Sequence, residues 1–212
     1  DRLGDSVQAR SYIQKYFATE DADAIQPRDY AFAGTIYAKF PESGDSAIKY
    51  LEIAVQKDTV KDEQKEFLIT AGKLAAASGN YGLQLKILKQ TENINGGKLA
   101  EIEYFNLSKA ITDAIDADSN RVFDSTKYLL GDSVIQAYIQ AYPDKPQGYS
   151  FRTRFAKMSD VDTTRGLALI PMQQQNEFLT RDTAADNKKS ILINDYYLLI
   201  YYAQYATDLP KE

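Results

Sequence analysis

Cysteine, histidine and tryptophan are all absent from this chain. Without cysteine there is no disulfide and no thiol nucleophile, and without histidine there is no imidazole base and no histidine-ligated metal. Any catalysis would fall to carboxylate, lysine, tyrosine or serine groups. Basic runs are missing too: 25 Lys and Arg against 30 Asp and Glu give a net charge of −5, scattered along the chain. Nucleic-acid affinity comes largely from neutralising phosphates, so nucleic acid is not expected as a partner. The longest strongly apolar stretch, Tyr196 to Ala203 (YYLLIYYA), is far short of the ~20 residues that span a bilayer, so no integral membrane segment is expected. The chain has no initiating Met, no basic leader and no apolar leader segment, from which a mature product or an excised fragment is expected. A cysteine-free chain suits an oxidising or a reducing compartment equally.

What is present is an ordinary globular composition, 44% hydrophobic and 26% charged over 212 residues, enough for one domain or a short repeat array. Sixteen Tyr and nine Phe supply large rings for packing. Their phenol tips reach water or a polar partner.

The stretch Pro27 to Asp58 carries a spacing that recurs along the chain. Tyr30, Ala33, Gly34 and Tyr37 fall at the offsets of W-x2-L-G-x2-Y, and Ala47 and Leu51 at those of A-x3-F. Pro27 suits the first turn of a helix, Pro41, Ser43 and Gly44 separate two helices, and Asp45 or Ser46 is placed to cap the second. Leu68, Ala71, Gly72 and Ala75 repeat the first offsets, with Gly79-Asn80-Tyr81 as the interhelix turn and Gln84, Leu85 and Leu88 on the following helix. Gly inside a helix costs ~1 kcal/mol relative to Ala, so Gly34 and Gly72 at equivalent positions predict close helix approach. Tyr104, Leu107, Ser108 and Ile111 continue the series, and Leu99, Ile102 and Phe105 give that helix a second apolar face. A helix apolar on two faces packs on both sides, as stacked repeats require.

An internal echo extends the pattern. Leu3-Gly4-Asp5-Ser6-Val7 recurs as Leu130-Gly131-Asp132-Ser133-Val134, and Tyr12-Ile13-Gln14 as Tyr138-Ile139-Gln140. Past the helix, Pro27, Tyr30 and Phe32 reappear as Pro146, Tyr149 and Phe151. The spacing predicts a fourth unit with Ala168 and Met172 at the A-x3-F offsets. The chain opens on a second helix and closes on a first, which predicts a piece cut from a longer array or an unusual cap.

On these residues the chain resembles a tetratricopeptide repeat (TPR) protein, and the turn around Pro143 to Tyr149 is similar to repeats of bacterial cell-envelope members of that family. The resemblance covers most of residues 3 to 205. It implies an all-α fold, a right-handed α-solenoid of stacked antiparallel helix hairpins, as a single array over 1–212. Its parts would be a lone second helix at 3–17, repeats at about 27–58, 62–90, 99–142 and 146–178, and a terminal helix at about 184–205. The implied function is a non-enzymatic protein-protein interaction scaffold without cofactor or metal. The implied compartment is the bacterial periplasm or cell envelope, with the cytoplasm as the alternative.

In such arrays the first helix of each unit lines a concave groove, and the residue after the Gly-like position faces it. In register these are Thr35, Lys73, Lys109 and Arg154, three of them basic in an acidic chain. A basic column in a cleft focuses its field, which predicts a protein or peptide partner of acidic character. Four residues earlier stand Ala31, Ile69, Phe105 and Ser150, which lack the lysines of the family's chaperone-tail clamp. Ile69 and Phe105 instead offer apolar contact. Tyr196, Tyr197, Tyr201, Tyr202 and Tyr205 form a cluster on the last helix, placed to pack a further helix or to stack on sugars. The second use defines the alternative function, a carbohydrate or cell-envelope polymer binding module.

Other fragments fail as sites. Asp116-x-Asp118-x-Asn120 opens like a calcium loop, but Arg121 stands where Gly is needed and Lys127 where a bidentate Glu is needed. Asp160-x-Asp162 fails similarly at Arg165. Ser46-x-x-Lys49 has Ser-Lys nucleophile spacing without the accompanying motifs, and Gly96-Gly97-Lys98 lacks the flanks of a phosphate loop. No carboxylate pair stands in an apolar setting that would separate two pKa values, so no hydrolase is expected.

Overall fold

The computed structural model describes residues 5–119, 122–181 and 185–205. Leu3 and Gly4 of the leading echo, Asn120 and Arg121 of the calcium-like loop, Ala184 ahead of the last helix and the side chain of Tyr205 lie outside the described residues. Among the described residues there are ten α-helices and no strand: α1 (Ser6–Thr19), α2 (Pro27–Tyr37), α3 (Gly44–Lys57), α4 (Lys61–Ala77), α5 (Tyr81–Ile94), α6 (Glu101–Ala117), α7 (Ser125–Ala141), α8 (Pro146–Ser159), α9 (Leu169–Thr180) and α10 (Ala185–Tyr205). A short 3-10 turn, Pro41–Ser43, leads into α3.

Local chemistry sets the helix ends. Asp5 caps α1, its Oδ1 accepting from Gln8 N at 2.9 Å. Pro27 opens α2, and the amide of Gln26 donates back to Asp29 Oδ2 at 2.9 Å. Asn80 caps α5 by accepting from Leu83 N, and the preceding Gly79 takes φ +73°, which the absence of a Cβ allows. At α3 the expectation of a cap from Asp45 or Ser46 is corrected. The helix starts at Gly44, the residue at the cap position is Ser43, and it makes no side-chain cap bond. Asp45 instead lies in the first turn and pairs with Lys86 on α5 at 3.3 Å.

Packing arranges these helices in two rows. The first helices α2, α4, α6 and α8 lie side by side, each against the next, while α3 packs on α5 and α5 on α7 behind them. Hairpins form where consecutive helices meet, tightest at α2 and α3. Gly34 explains that closeness: a Cβ placed there would stand 2.6 Å from Leu51 Cγ. At the equivalent Gly72 the nearest atom, Leu107 Cδ2 on the next first helix, would be 3.0 Å away. The motif residues form the core, with Ala33, Ala47, Leu51, Leu68, Ala71, Ala75, Leu107 and Ile111 all essentially inaccessible. The structure is thus an all-α solenoid of stacked antiparallel hairpins, TPR-like in its packing.

Three readings change on contact with the structure. The echoed pentapeptide does different things in its two copies: Asp5 caps a helix, whereas Asp132 sits in the middle of α7, buried. Val7 is 65% exposed and Val134 1%, because α7 packs against α5, α6 and α8 whereas α1 packs along α2. Ile102 is 61% exposed and Leu99, buried, precedes α6, which starts at Glu101, so of the three residues expected on a second apolar face of that helix only Phe105 serves it. The fourth unit carries a long connection between α8 and α9, organised by Asp160. This carboxylate is buried and accepts from the amides of Arg165 and Leu167, each at 3.2 Å.

Candidate partner-binding groove

The predicted residues are carried by the row of first helices. On α2, the buried positions Ala31, Ala33, Gly34, Ile36 and Tyr37 leave Phe32 and Thr35 facing outward, and Thr35 Oγ1 donates to Phe32 O at 2.8 Å. On α4, Ile69 and Lys73 are half-buried flanking residues one turn apart. On α6, Lys109 is exposed and Phe105 half-buried, and on α8 Arg154 is exposed. All six residues therefore occupy the same row.

Their electrostatics are less uniform than the sequence suggested. Lys109 is hydrogen-bonded to Asp113 one turn along, and Arg154 Nη2 reaches across to Asp116 Oδ2 on α6 at 3.3 Å. Both pairs are about half exposed. Lys73 alone of the three cations has no ion pair among the described residues. Phe105 is also engaged: its ring meets that of Phe151 on α8 edge-on, centroids 5.1 Å apart. It ties two first helices together. Phe32, 52% exposed, and Ile102 contribute apolar surface on the same open faces. Sequence reasoning passed over both, reading Ile102 as a packing residue; their place at i−3 and i−7 from Thr35 and Lys109 is the signal that could have found them.

The tyrosines of α10 divide. Tyr196 is 61% exposed. Tyr197 lies under the ammonium of Lys157, 4.1 Å from its ring centroid. Tyr202 accepts from Gln173 Nε2 at 3.3 Å, and Tyr201 rests against the backbone of Gly166, where a Cβ would stand 2.6 Å from its hydroxyl. Three of the four rings are thus used within the chain, Tyr197 against α8 and Tyr201 and Tyr202 against α9 and the connection before it.

Behind the rows, tyrosines serve the core. Tyr104 and Tyr138 stack with centroids 6.1 Å apart, their hydroxyls bonded to Glu92 and Glu101. Burial first, then these carboxylate bonds, push both hydroxyls well above the ordinary tyrosine pKa. Tyr128 stacks on Phe155 at 5.5 Å and Tyr81 meets the same ring edge-on. Burial pushes the hydroxyls of Tyr81 and Tyr128 up to about 12. A pocket of about 320 Å³ opens beside them at the C-terminal ends of α4, α6 and α8. Lys127 already lies over the Tyr81 ring at its rim, at 5.4 Å.

The described residues hold no cluster of three His, Cys, Asp or Glu suited to a cation. No helix of the described chain is long and apolar enough to cross a membrane.

The fold is of a class, the TPR-like helical-hairpin arrays. Comparison with known proteins gives one point of reference. No protein-family model and no curated protein sequence matches the chain. Among solved structures it is similar to the C-terminal part of a TPR repeat-containing protein from Cytophaga hutchinsonii, at 21% identity, covering 98% of this chain and 73% of that one, with a TM-score of 0.45.

Proposed function

We propose that this chain is a non-enzymatic protein-interaction scaffold that holds a peptide or partner segment along the open face of α2, α4, α6 and α8. The observation that carries the reading is the alignment of Thr35, Ile69, Lys73, Phe105, Lys109 and Arg154 on one row of adjacent helices, polar and basic groups alternating with apolar ones. Lys73 offers the partner an uncommitted cation. Lys109 and Arg154 exchange their exposed acidic neighbours for the partner's carboxylates at little cost, since exposed pairs contribute only about 0–1 kcal/mol. Ile69, Phe105 and the exposed Phe32 and Ile102 add the apolar contact that fixes register. We propose the bacterial periplasm or cell envelope as the setting, on the resemblance of the Pro143 to Tyr149 turn.

The test is charge reversal. Peptides selected from a random library on the wild-type chain are expected to lose about tenfold or more in affinity for the Lys73→Glu, Lys109→Glu protein, with an unchanged helical spectrum. Undiminished binding removes the site.

A further inference from the structure

The row of first helices opens at its far end. α10 packs along α9 and makes no comparable contact with α8 among the described residues. The space left between α8 and α10 is a cleft of about 420 Å³, lined among others by Ser150, Thr153, Arg154, Lys157, Ile193 and Asn194. Two groups in its wall are unmatched. Lys157 is half-buried, and burial holds its pKa below the ordinary lysine value. Its ammonium has no carboxylate partner among the described residues and lies only over the Tyr197 ring. Thr153 is 5% exposed and its Oγ1 has no hydrogen-bond partner.

A desolvated ammonium without a counter-charge and a buried hydroxyl without a partner both cost free energy. One kind of group relieves both, an oxyanion that pairs with the ammonium and accepts from the hydroxyl. The charge count decides which oxyanion. Without a ligand Arg154 at the rim is paired with Asp116 at 3.3 Å, which leaves Lys157 as the cleft's one cation without a carboxylate among the described residues. That matches a singly charged carboxylate rather than a phosphate dianion. The neutral lining agrees: Gln175 bridges Ser150 Oγ and Asn194 Nδ2, each at 3.1 Å, which leaves the Ser150 proton available to a second acceptor.

We infer that the cleft between α8 and α10 is a carboxylate-binding subsite, with Lys157 supplying the charge, Thr153 and Ser150 the hydrogen bonds, and the Tyr197 ring holding the ammonium in place. This inference rests on the scaffold reading for its ligand: the carboxylate is that of a bound partner, received where the groove meets α10. It uses different residues from the groove column, apart from the rim position Arg154.

The experiment titrates the isotope-labelled full chain with sodium acetate and, separately, with inorganic phosphate, following the Lys157 side-chain methylene and Thr153 amide signals. Saturable shifts with acetate are expected, weaker by about tenfold in Lys157→Met and by less in Thr153→Val, both folded by circular dichroism. Shifts that stay linear, survive Lys157→Met unchanged, or saturate more tightly with phosphate overturn the assignment. Two short peptides separate the sources: one with blocked ends and a single Glu, one without acidic side chains and with a free C-terminus. Whichever binds at the same signals identifies the carboxylate, and binding by neither overturns the partner role. The Lys73→Glu, Lys109→Glu protein distinguishes the two readings. Acetate binding retained while selected peptides bind it as well as wild type rejects the groove alone, and no saturable acetate response in the wild-type chain, with peptide binding weakened by the double substitution, rejects the subsite alone.

Discussion

Arg152 on α8 grips Asp132 on α7 with two hydrogen bonds, Nε to Oδ1 at 2.7 Å and Nη2 to Oδ2 at 3.0 Å, while its remaining nitrogen reaches Gln174 on α9. The side chains are 13% and 9% exposed. Three helices of two successive units are thereby joined through one guanidinium. Removing one member of a buried pair strands the other, at about 3–5 kcal/mol. Asp132→Ala and Arg152→Ala are each expected to lower the unfolding free energy from urea titration by an amount in that range. Asp132→Leu with Arg152→Met is expected to recover most of it, because two apolar chains leave no stranded charge.

The two helix glycines respond differently to the same change. Gly34→Ala gains about 1 kcal/mol of helix propensity but drives a methyl to 2.6 Å from Leu51 Cγ and 2.8 Å from Leu51 Cδ2 in the tightest hairpin. Overpacking of that kind costs typically ~1–3 kcal/mol, so net destabilisation is expected. Gly72→Ala meets only Leu107 Cδ2 at 3.0 Å and Ile87 Cγ2 at 3.5 Å. Its melting temperature is expected to stay near that of the wild type.

Asn80 does two jobs that substitution can separate. It caps α5 through Leu83 N and donates from Nδ2 to Pro41 O at 3.1 Å, joining consecutive interhelix turns. Asn80→Asp keeps the cap and loses the donor; Asn80→Ala loses both. The alanine variant is expected to fall by about 1–2 kcal/mol and the aspartate variant by less, in the same denaturation assay.

Much of this fold is legible in sequence because its periodic residues are local packing residues. Gly34 and Leu51, or Gly72 and Leu107, announce close approach by residue type and spacing alone. The site is less legible because its electrostatics depend on pairings between elements. Asp116 and Arg154 look like independent surface charges until α6 and α8 lie side by side. Phe105 reads as a free groove residue until Phe151 is set against it. Lys157 gains its character only from the way α10 leans on α9 and away from α8. The echo of Val7 in Val134 misleads for a similar reason, since the neighbours of a helix decide which residues of a shared motif are covered.

Alkaline pH probes the tyrosine core. In the unfolded chain Tyr81 and Tyr128 ionise near 10, whereas burial raises their folded values to about 12. Above pH 10 the unfolded state therefore binds fewer protons than the folded one, and stability falls as pH rises. The contribution is complete below pH 10 and is lost between there and about 12. Urea midpoints are expected to decline across that interval, in step with delayed tyrosinate absorbance, and Tyr81→Phe with Tyr128→Phe is expected to flatten the decline.

The central claim is that a partner lies along the open face of α2, α4, α6 and α8. Site-specific photo-crosslinking measures this most directly, with a photoreactive residue placed in turn at Thr35, Lys73 and Arg154 on that face, and at Gln56 and Lys89 on α3 and α5 as controls. With a peptide selected on the wild-type chain, adducts are expected at the three first-helix positions and at neither control. Adducts confined to Gln56 and Lys89 would contradict the account.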